Sequence, residues 1–489
     1  MQSIVKEISE LFTDCFRTEP TSIDQLPQSG GDRIYFRVSS PKINVIATSS
    51  LNIKENETFF YFTQHFKALG FPVPEVFAFN SKNTIYLQKD FGDVSLLNVI
   101  EGKGKTEEVL ALTKLALKQL AQVQLIGDKG LDYNRCITSK EFGKQAILND
   151  LLYFKYYFLD TLKVPYDKEK LLEDFDALSL YLSRVDHKYF MYRDFQSRNI
   201  IVQDKKVFFI DYQGGMKGAL QYDVASFLWQ AKAQFSDEWK DNLLEYYITS
   251  VEEILNQPID RNRFINQYNG YVLLRLLQVL GAYGFRGIFE RKAHFLDSIP
   301  LALKNLQQFM THKSLGIAIP EFERLLEIIV SDQMIESFIG IKATDQSSLV
   351  VRITSFSFIK SGYPTDETSN GGGFVFDCRG ILNPGRLAEF KQLTGRDKAV
   401  KDYLEQQTTM PVFMNNVYNI VDISVSEYLK RGFSSLMVNF GCTGGQHRSV
   451  YAADALTRHL RNKFNVKTEV NHIEQGIKEN RGFPTESQL

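Results

Sequence analysis

The segment MYRDFQSRNIIVQDKKVFFIDYQ, residues 191–213, constrains this chain more than any other. Asp194 is followed five residues later by Asn199. Two short β-rich runs then read as a hairpin that ends at Ile210-Asp211. Phosphoryl transfer asks little covalent chemistry of a protein. It needs a carboxylate to orient the attacking hydroxyl and accept its proton, and oxygen ligands that hold Mg²⁺ against the phosphates of ATP. Asp194 suits the first role; Asn199 and Asp211 suit the second. An isolated Asp-x4-Asn is common, but the ordered set of DxxxxN, strand, IDY and YD is not.

The chain around this segment is 489 residues long, enough for two to four domains. Its hydrophobic and charged fractions, 44% and 24%, are those of an ordered globular protein and exclude disorder as the main theme. A formal net charge of -1 argues against a globally basic nucleic-acid binder. Cys15, Cys136, Cys378 and Cys442 form no CxxC pair, so neither a zinc site nor a disulfide framework is expected, and a reducing cytoplasm fits. No stretch reads as the ~20 apolar residues of a membrane span, and no membrane partner is expected.

Along the chain, RIYFRVSS and INVIATSS flank Pro41-Lys42 as a hairpin, and a helical run from Lys54 stops at Gly70. FPVPEVFAFN and TIYLQKDFGD follow as a second extended pair. Residues 105–190 and 220–310 read as mostly helical. The helical stretch EFERLLEIIVSDQMIESFIGI leads to KATDQSSLV, where local polarity and loss of pattern mark a boundary around residues 335–347, and the chain is divided into one domain at 1–330, a linker at 331–346 and a second domain at 347–489. In the second, SLVVRITSFSF, FVFDCRG and SSLMVNFGC alternate with loops or helices, the mark of an α/β unit.

With Gly218 and Gln221-Tyr222-Asp223 beyond Asp211-Tyr-Gln, residues 20–310 resemble the aminoglycoside phosphotransferase family. They look most like the kinases of cell-wall recycling that phosphorylate the anomeric hydroxyl of N-acetylmuramate and N-acetylglucosamine. The resemblance implies Asp194 as catalytic base, Asn199 and Asp211 as Mg²⁺ ligands, Asp223 as a brace for the loop, and a sugar as acceptor. QSGGDRIYFR would be the glycine loop over the phosphates, with Gly30 and Gly31 allowing close backbone approach. The usual His two residues before the base is Tyr192. The strand VIATSS lacks the usual nucleotide-pairing Lys; Lys54 or Arg37 is the candidate substitute, with Glu57 as its helix partner.

A second site lies in SSLMVNFGCTGGQHRSVYAADALTRHL: a strand, a glycine-rich turn and a helix. Such a turn aims backbone N–H groups at one point, where the helix N-terminus adds its positive end. Arg448 could grip a phosphate bidentately. Cys442 and Arg448 also have the Cys-x5-Arg spacing of tyrosine phosphatases, a less favoured reading because Gly441 stands where those enzymes carry His. With GGGFVFDCRGILNPGR and TGRDKAV in order before it, the segment resembles the C-terminal domain of the RNase adapter family called RapZ, over residues 347–475. That domain senses glucosamine-6-phosphate and binds small RNAs. The resemblance implies a phosphosugar pocket of Cys442, Thr443, Gly444, Gly445, Gln446, His447, Arg448 and Ser449, with Asp377, Arg379, Asn383 and Arg396 nearby. Residues 471–489 carry Lys478 and Arg481 against Glu474, Glu479 and Glu486, so this tail adds little to RNA affinity.

The fold class expected is therefore an α+β kinase-like bilobal domain followed by a small α/β domain with a strand–Gly-rich loop–helix phosphate cradle. The expected function is ATP-dependent transfer to a sugar hydroxyl, fused to a phosphosugar sensor. The alternative is a nucleotide-binding pseudokinase that acts as an adapter for RNA or protein.

Overall fold

The computed structural model describes residues 2–27, 32–186, 188–290, 292–312 and 314–483. The chain divides into two compact units: residues 1–281 with 301–330, and residues 282–300 with 331–489.

The first unit opens with α1 (Gln2–Phe16), whose Ile8 and Phe12 are fully buried. They join Phe36, Val38, Ala47 and Leu87 in the core of an antiparallel sheet. That sheet has the order β1-β2-β3-β5-β4, from β1 (Ser22–Gln25), β2 (Ile34–Ser39), β3 (Asn44–Ser49), β4 (Val76–Phe79) and β5 (Ile85–Lys89). The β2–β3 hairpin turns around Pro41-Lys42 in the register Ile34↔Ser49 to Ser39↔Asn44. Before β4, α2 (Ile53–Ala68) starts on Asn52, whose side chain caps the Glu55 N–H. Its buried Phe59, Phe62 and Phe66 pack toward the phosphotransfer loop: Phe66 lies 4.9 Å from Phe190, and Phe59 5.3 Å from Tyr212, centroid to centroid. Each such ring contributes roughly 1.5–3 kcal/mol of burial and ties the small sheet to the loop beneath it.

The rest of the unit is largely helical: α3 (Leu96–Lys103), α4 (Glu107–Leu125), α5 (Lys144–Tyr157), α6 (Lys168–Ser183), α7 (Leu220–Leu228), α8 (Asp237–Leu255) and α9 (Arg261–Tyr283). Two ribbons interrupt it. β6 (Lys188–Met191) pairs with β9 (Met216–Ala219), and β7 (Ile200–Gln203) with β8 (Lys206–Phe209). Asp204 and Lys205 turn the second ribbon, both with positive φ, as a two-residue hairpin of this hand requires. The helix continuing from Arg261 to Phe289 is long and apolar enough to cross a membrane by length and composition. This departs from the absence of any such stretch expected from sequence. Within the first unit it is a core helix, with Leu273, Leu274 and Leu277 fully buried.

α10 (Ala293–Leu296) belongs to the second unit, while α11 (Ile299–His312) and α12 (Pro320–Ile329) lead back through the first. After α13 (Asp332–Ile339) come β10 (Val350–Ser357), β11 (Gly373–Asp377), α14 (Lys398–Gln407), α15 (Met410–Arg431), β12 (Ser435–Cys442), α16 (Arg448–Phe464), β13 (Lys467–His472) and β14 (Ile477–Arg481). The sheet order is β11-β12-β10-β13-β14, parallel except for the last pair. The interior strand β12 is buried along almost its whole length, as parallel strands are. α16 covers one face through Ala452, Leu456 and Leu460. The α+β domain and the small α/β domain expected from sequence are both present; β1, β6, β9, β13 and β14 are strands that the sequence reading did not mark.

Candidate active site and anion cradle

β6 runs directly into the loop that carries Asp194, and its partner β9 runs directly into α7. Asp223, in the first turn of α7, thus arrives beneath the loop. Its Oδ2 accepts the Tyr192 N–H at 2.7 Å and the Gln124 side-chain amide at 2.9 Å, and its Oδ1 accepts the Arg193 N–H at 2.9 Å. Burial pushes this carboxyl up to about 7, against the pull of those donors. Arg193 has φ 79°, a left-handed conformation that costs a non-glycine residue on the order of 1–3 kcal/mol. The Asp223 hydrogen bonds hold the loop in it. Tyr192, where a His is usual, is buried and donates its hydroxyl to Ile210 O at 2.5 Å. Burial pushes its phenol well up, so it remains a donor linking the loop to the residue before Asp211.

The three residues expected to act together are brought together. Asn199 Nδ2 donates to Asp194 O at 2.9 Å and to Asp211 Oδ2 at 3.4 Å, and Ile210 N–H donates to Asn199 O at 3.1 Å. With Nδ2 so engaged, Asn199 Oδ1 and the Asp211 carboxylate remain as oxygen donors. Among the described residues no cluster of three or more His, Cys, Asp and Glu could hold a metal. A small oxygen set still fits Mg²⁺, which takes one or two protein ligands and completes its shell with phosphate oxygens and water.

The cation that sequence reasoning missed is Arg33, just before β2. It pairs with Glu55 in the first turn of α2, and its Nη1 donates to Asp211 Oδ1 at 3.2 Å. Gln213 Nε2 reaches the same oxygen at 2.6 Å. Arg33 therefore bridges the small sheet, α2 and the Asp211 turn. Arg37 does not: it is held by Asp90 at 2.6 Å and Asp93 at 2.7 Å. Glu57 also differs from expectation. Two residues on a helix are about 200° apart, so Glu57 faces away from Glu55 and accepts from Asn83 Nδ2 at 3.1 Å. Lys54 is exposed. Gly30 and Gly31 lie outside the described residues.

In the second unit, β12, the turn 443–447 and α16 form the expected strand–loop–helix. The Cys442 thiol is buried, accepts the Gly445 N–H at 3.2 Å and lies 3.2 Å from Ser449 Oγ. Gly445 has φ 68°, and a Cβ there would meet Glu474 Cγ at 2.3 Å, so the turn requires glycine. Ser357 Oγ fixes Thr443 O at 2.6 Å, Gln446 Nε2 donates to Leu393 O at 2.7 Å, and His447 Nε2 contacts Phe390 O at 2.8 Å. Among the described residues, the N–H groups of Gly444, Gln446 and His447 have no hydrogen-bond acceptor.

Arg448 departs from the expected bidentate grip. It is 3% exposed, and its Nη1 donates to Arg379 O at 3.1 Å and Ile381 O at 2.7 Å. It braces the neighbouring loop. Arg379 in turn is paired with Asp377 at 2.7 Å, which holds that carboxyl below its usual range, and lies over the Phe358 ring. Arg396 bridges Asp454 at 3.2 Å and Glu479 at 2.8 Å, and Asn383 caps the Gly385 N–H.

The phosphotransferase enzyme family matches residues 35–255, and the RapZ C-terminal domain matches residues 349–476. A nucleotide-binding protein of Fervidobacterium nodosum is 28% identical over 265 residues, covering 48% of this chain and 89% of its own length. One of Clostridium botulinum strain Hall is 36% identical over 127 residues, 26% of this chain and 41% of its own, so the chain spans less than half of that relative. Among solved structures, a choline/ethanolamine kinase family protein from Mesorhizobium loti is 12% identical with a TM-score of 0.44, over 67% of this chain and 99% of that one. The chain thus carries a phosphotransferase enzyme family domain at residues 35–255 and a RapZ C-terminal domain at residues 349–476.

Proposed function

We propose that the first unit transfers the γ-phosphoryl group of ATP to a sugar hydroxyl, the anomeric hydroxyl of N-acetylmuramate or N-acetylglucosamine. The observation that carries this reading is the meeting of Asp194, Asn199 and Asp211 at one loop, with Arg33 bridging Asp211 to Glu55. Asp194 orients the acceptor hydroxyl and accepts its proton as the new O–P bond forms and the bond to ADP breaks. Asn199 and Asp211 would hold Mg²⁺, which when bound neutralises charge on the phosphates. Arg33 supplies a fixed positive charge beside them, and Asp223 and Tyr192 keep the loop in its left-handed turn.

The second unit is proposed as a phosphosugar sensor that biases the kinase. The open N–H groups of Gly444, Gln446 and His447 at the N-terminus of α16 support an anion there. The direct test is ATP consumption by the full chain with Mg²⁺ against N-acetylglucosamine, N-acetylmuramate, glucosamine and an aminoglycoside, with Asp194→Ala as control. Turnover that depends on both acceptor and Asp194 supports the reading. Nucleotide binding without turnover on any acceptor favours the adapter instead.

A further inference from the structure

A second set of polar groups lies beside Asp194 and shares no partner with Asn199, Asp211 or Arg33. Arg193 stacks its guanidinium over Phe142 at 4.7 Å and reaches Tyr222 at 5.8 Å. Its Nη2 stands 3.8 Å from Asp150 Oδ2, too far for a hydrogen bond. Among the described residues the five N–H donors of this guanidinium have no hydrogen-bond acceptor, yet the side chain is 29% exposed and held in place by rings.

Asp150, on α5, is positioned from the other side. Arg275 Nη1, on α9, donates to Gln278 Oε1 at 2.6 Å and to Tyr222 Oη at 2.8 Å. The Tyr222 hydroxyl in turn reaches Gln278 Oε1 at 3.1 Å. With its oxygen so engaged, Gln278 must point its amide nitrogen the other way, and Nε2 donates to Asp150 Oδ2. Asp150 Oδ1 has no hydrogen-bond donor among the described residues. One acceptor oxygen and one guanidinium fork are therefore fixed by three helices and the loop, next to the proposed base, with their hydrogen-bonding capacity unused.

We propose that Asp150 and Arg193 read the acceptor. Asp150 Oδ1 accepts a hydrogen bond from a ring hydroxyl, and Arg193 donates to an acetamido or carboxylate oxygen. The pair selects N-acetylated sugars over free amino sugars, whose ammonium would face the Arg193 guanidinium. This rests on the phosphotransfer reading of the same loop.

The experiment uses the full chain. Steady-state kinetics with N-acetylglucosamine, N-acetylmuramate and glucosamine are run for the wild type, Asp150→Asn and Arg193→Lys. Calorimetric binding of each sugar is measured with Mg²⁺ and a non-hydrolysable ATP analogue. Both variants are expected to raise the acceptor KM about tenfold or more, as loss of a hydrogen bond to a charged group does, with the ATP KM and melting temperature unchanged. Arg193→Lys keeps the charge, and so serves if Asp150→Asn fails to fold. Acceptor KM within twofold of wild type in the folded variants, with Asp194→Ala still inactive, overturns the pair and leaves the kinase standing. Sugar binding lost in the variants, without turnover in the wild type, supports the pair and removes the kinase reading. Preference for glucosamine, or neither binding nor turnover with any sugar, overturns the pair.

Discussion

Two arginines beside two phosphate-handling loops do opposite jobs. Arg193 follows β6 in the first unit and leaves its donors unengaged beside the proposed base. Arg448 follows the turn after β12 in the second unit and is buried, with Nη1 committed to the carbonyls of Arg379 and Ile381 and Nη2 3.4 Å from Thr443 Oγ1. Sequence alone gives only Arg448 the look of an anion grip. Burial separates them: the sealed guanidinium is tied to protein carbonyls through Nη1, whereas the part-exposed one has donors left for a ligand. In the second unit the proposed anion-binding role rests on backbone N–H groups, as the glycine-rich turn suggests from sequence.

The sharpest way to break this contrast is Arg448→Ala. It leaves two buried carbonyls without donors, so the second unit should lose about 2–3 kcal/mol, read as the denaturant midpoint of residues followed there by hydrogen exchange. An Arg448→Ala protein of unchanged stability that had lost anion binding would restore the grip. Next in size is Arg33→Ala, expected to lower kcat/KM for ATP about tenfold or more while Arg37→Ala changes it little, because only Arg33 meets Asp211. Equal losses in the two variants would return the nucleotide role to Arg37.

A pH-dependent effect is set by Asp223. Its carboxyl sits at about 7 in the folded chain against an ordinary 3.8. The folded state therefore holds a proton that the unfolded state releases. That contribution is full below about pH 3.8 and is lost as pH rises to about 7. Thermal unfolding from pH 4 to 7 should show a downward slope from this group, and Asp223→Asn should flatten it. The smallest expected effect is that of Glu57→Ala, within about 0.5 kcal/mol of wild-type stability and with unchanged turnover, since Glu57 meets only Asn83.

What sequence made legible follows the range of each contact. Asp194, Asn199 and Asp211 lie within one loop and one hairpin, so local spacing was enough to group them. Asp223 was reachable because β9 leads straight into α7. Arg33 was not, since its partners are 22 and 178 residues away and come together only through the register of β2 against α2. Glu57 was preferred to Glu55 because the helix phase relative to the sheet is not written in the helix itself. β13 escaped because its inward side chains include polar Thr468 and His472, so hydrophobic alternation gives no signal. The Asp150 cluster, drawn from α5, α7, α9 and a loop, has no sequence signature at all.

The central claim is that chemistry belongs to the first loop and anion binding to the second. It is tested most directly by acceptor-dependent ADP release from the full chain, compared side by side for wild type, Asp194→Ala and Cys442→Ser. The account predicts a loss of about 10²-fold or more in Asp194→Ala, as removal of a general base gives, and turnover near wild type in Cys442→Ser without effector. Turnover that survives Asp194→Ala, or that disappears with Cys442→Ser in a folded protein, would contradict it.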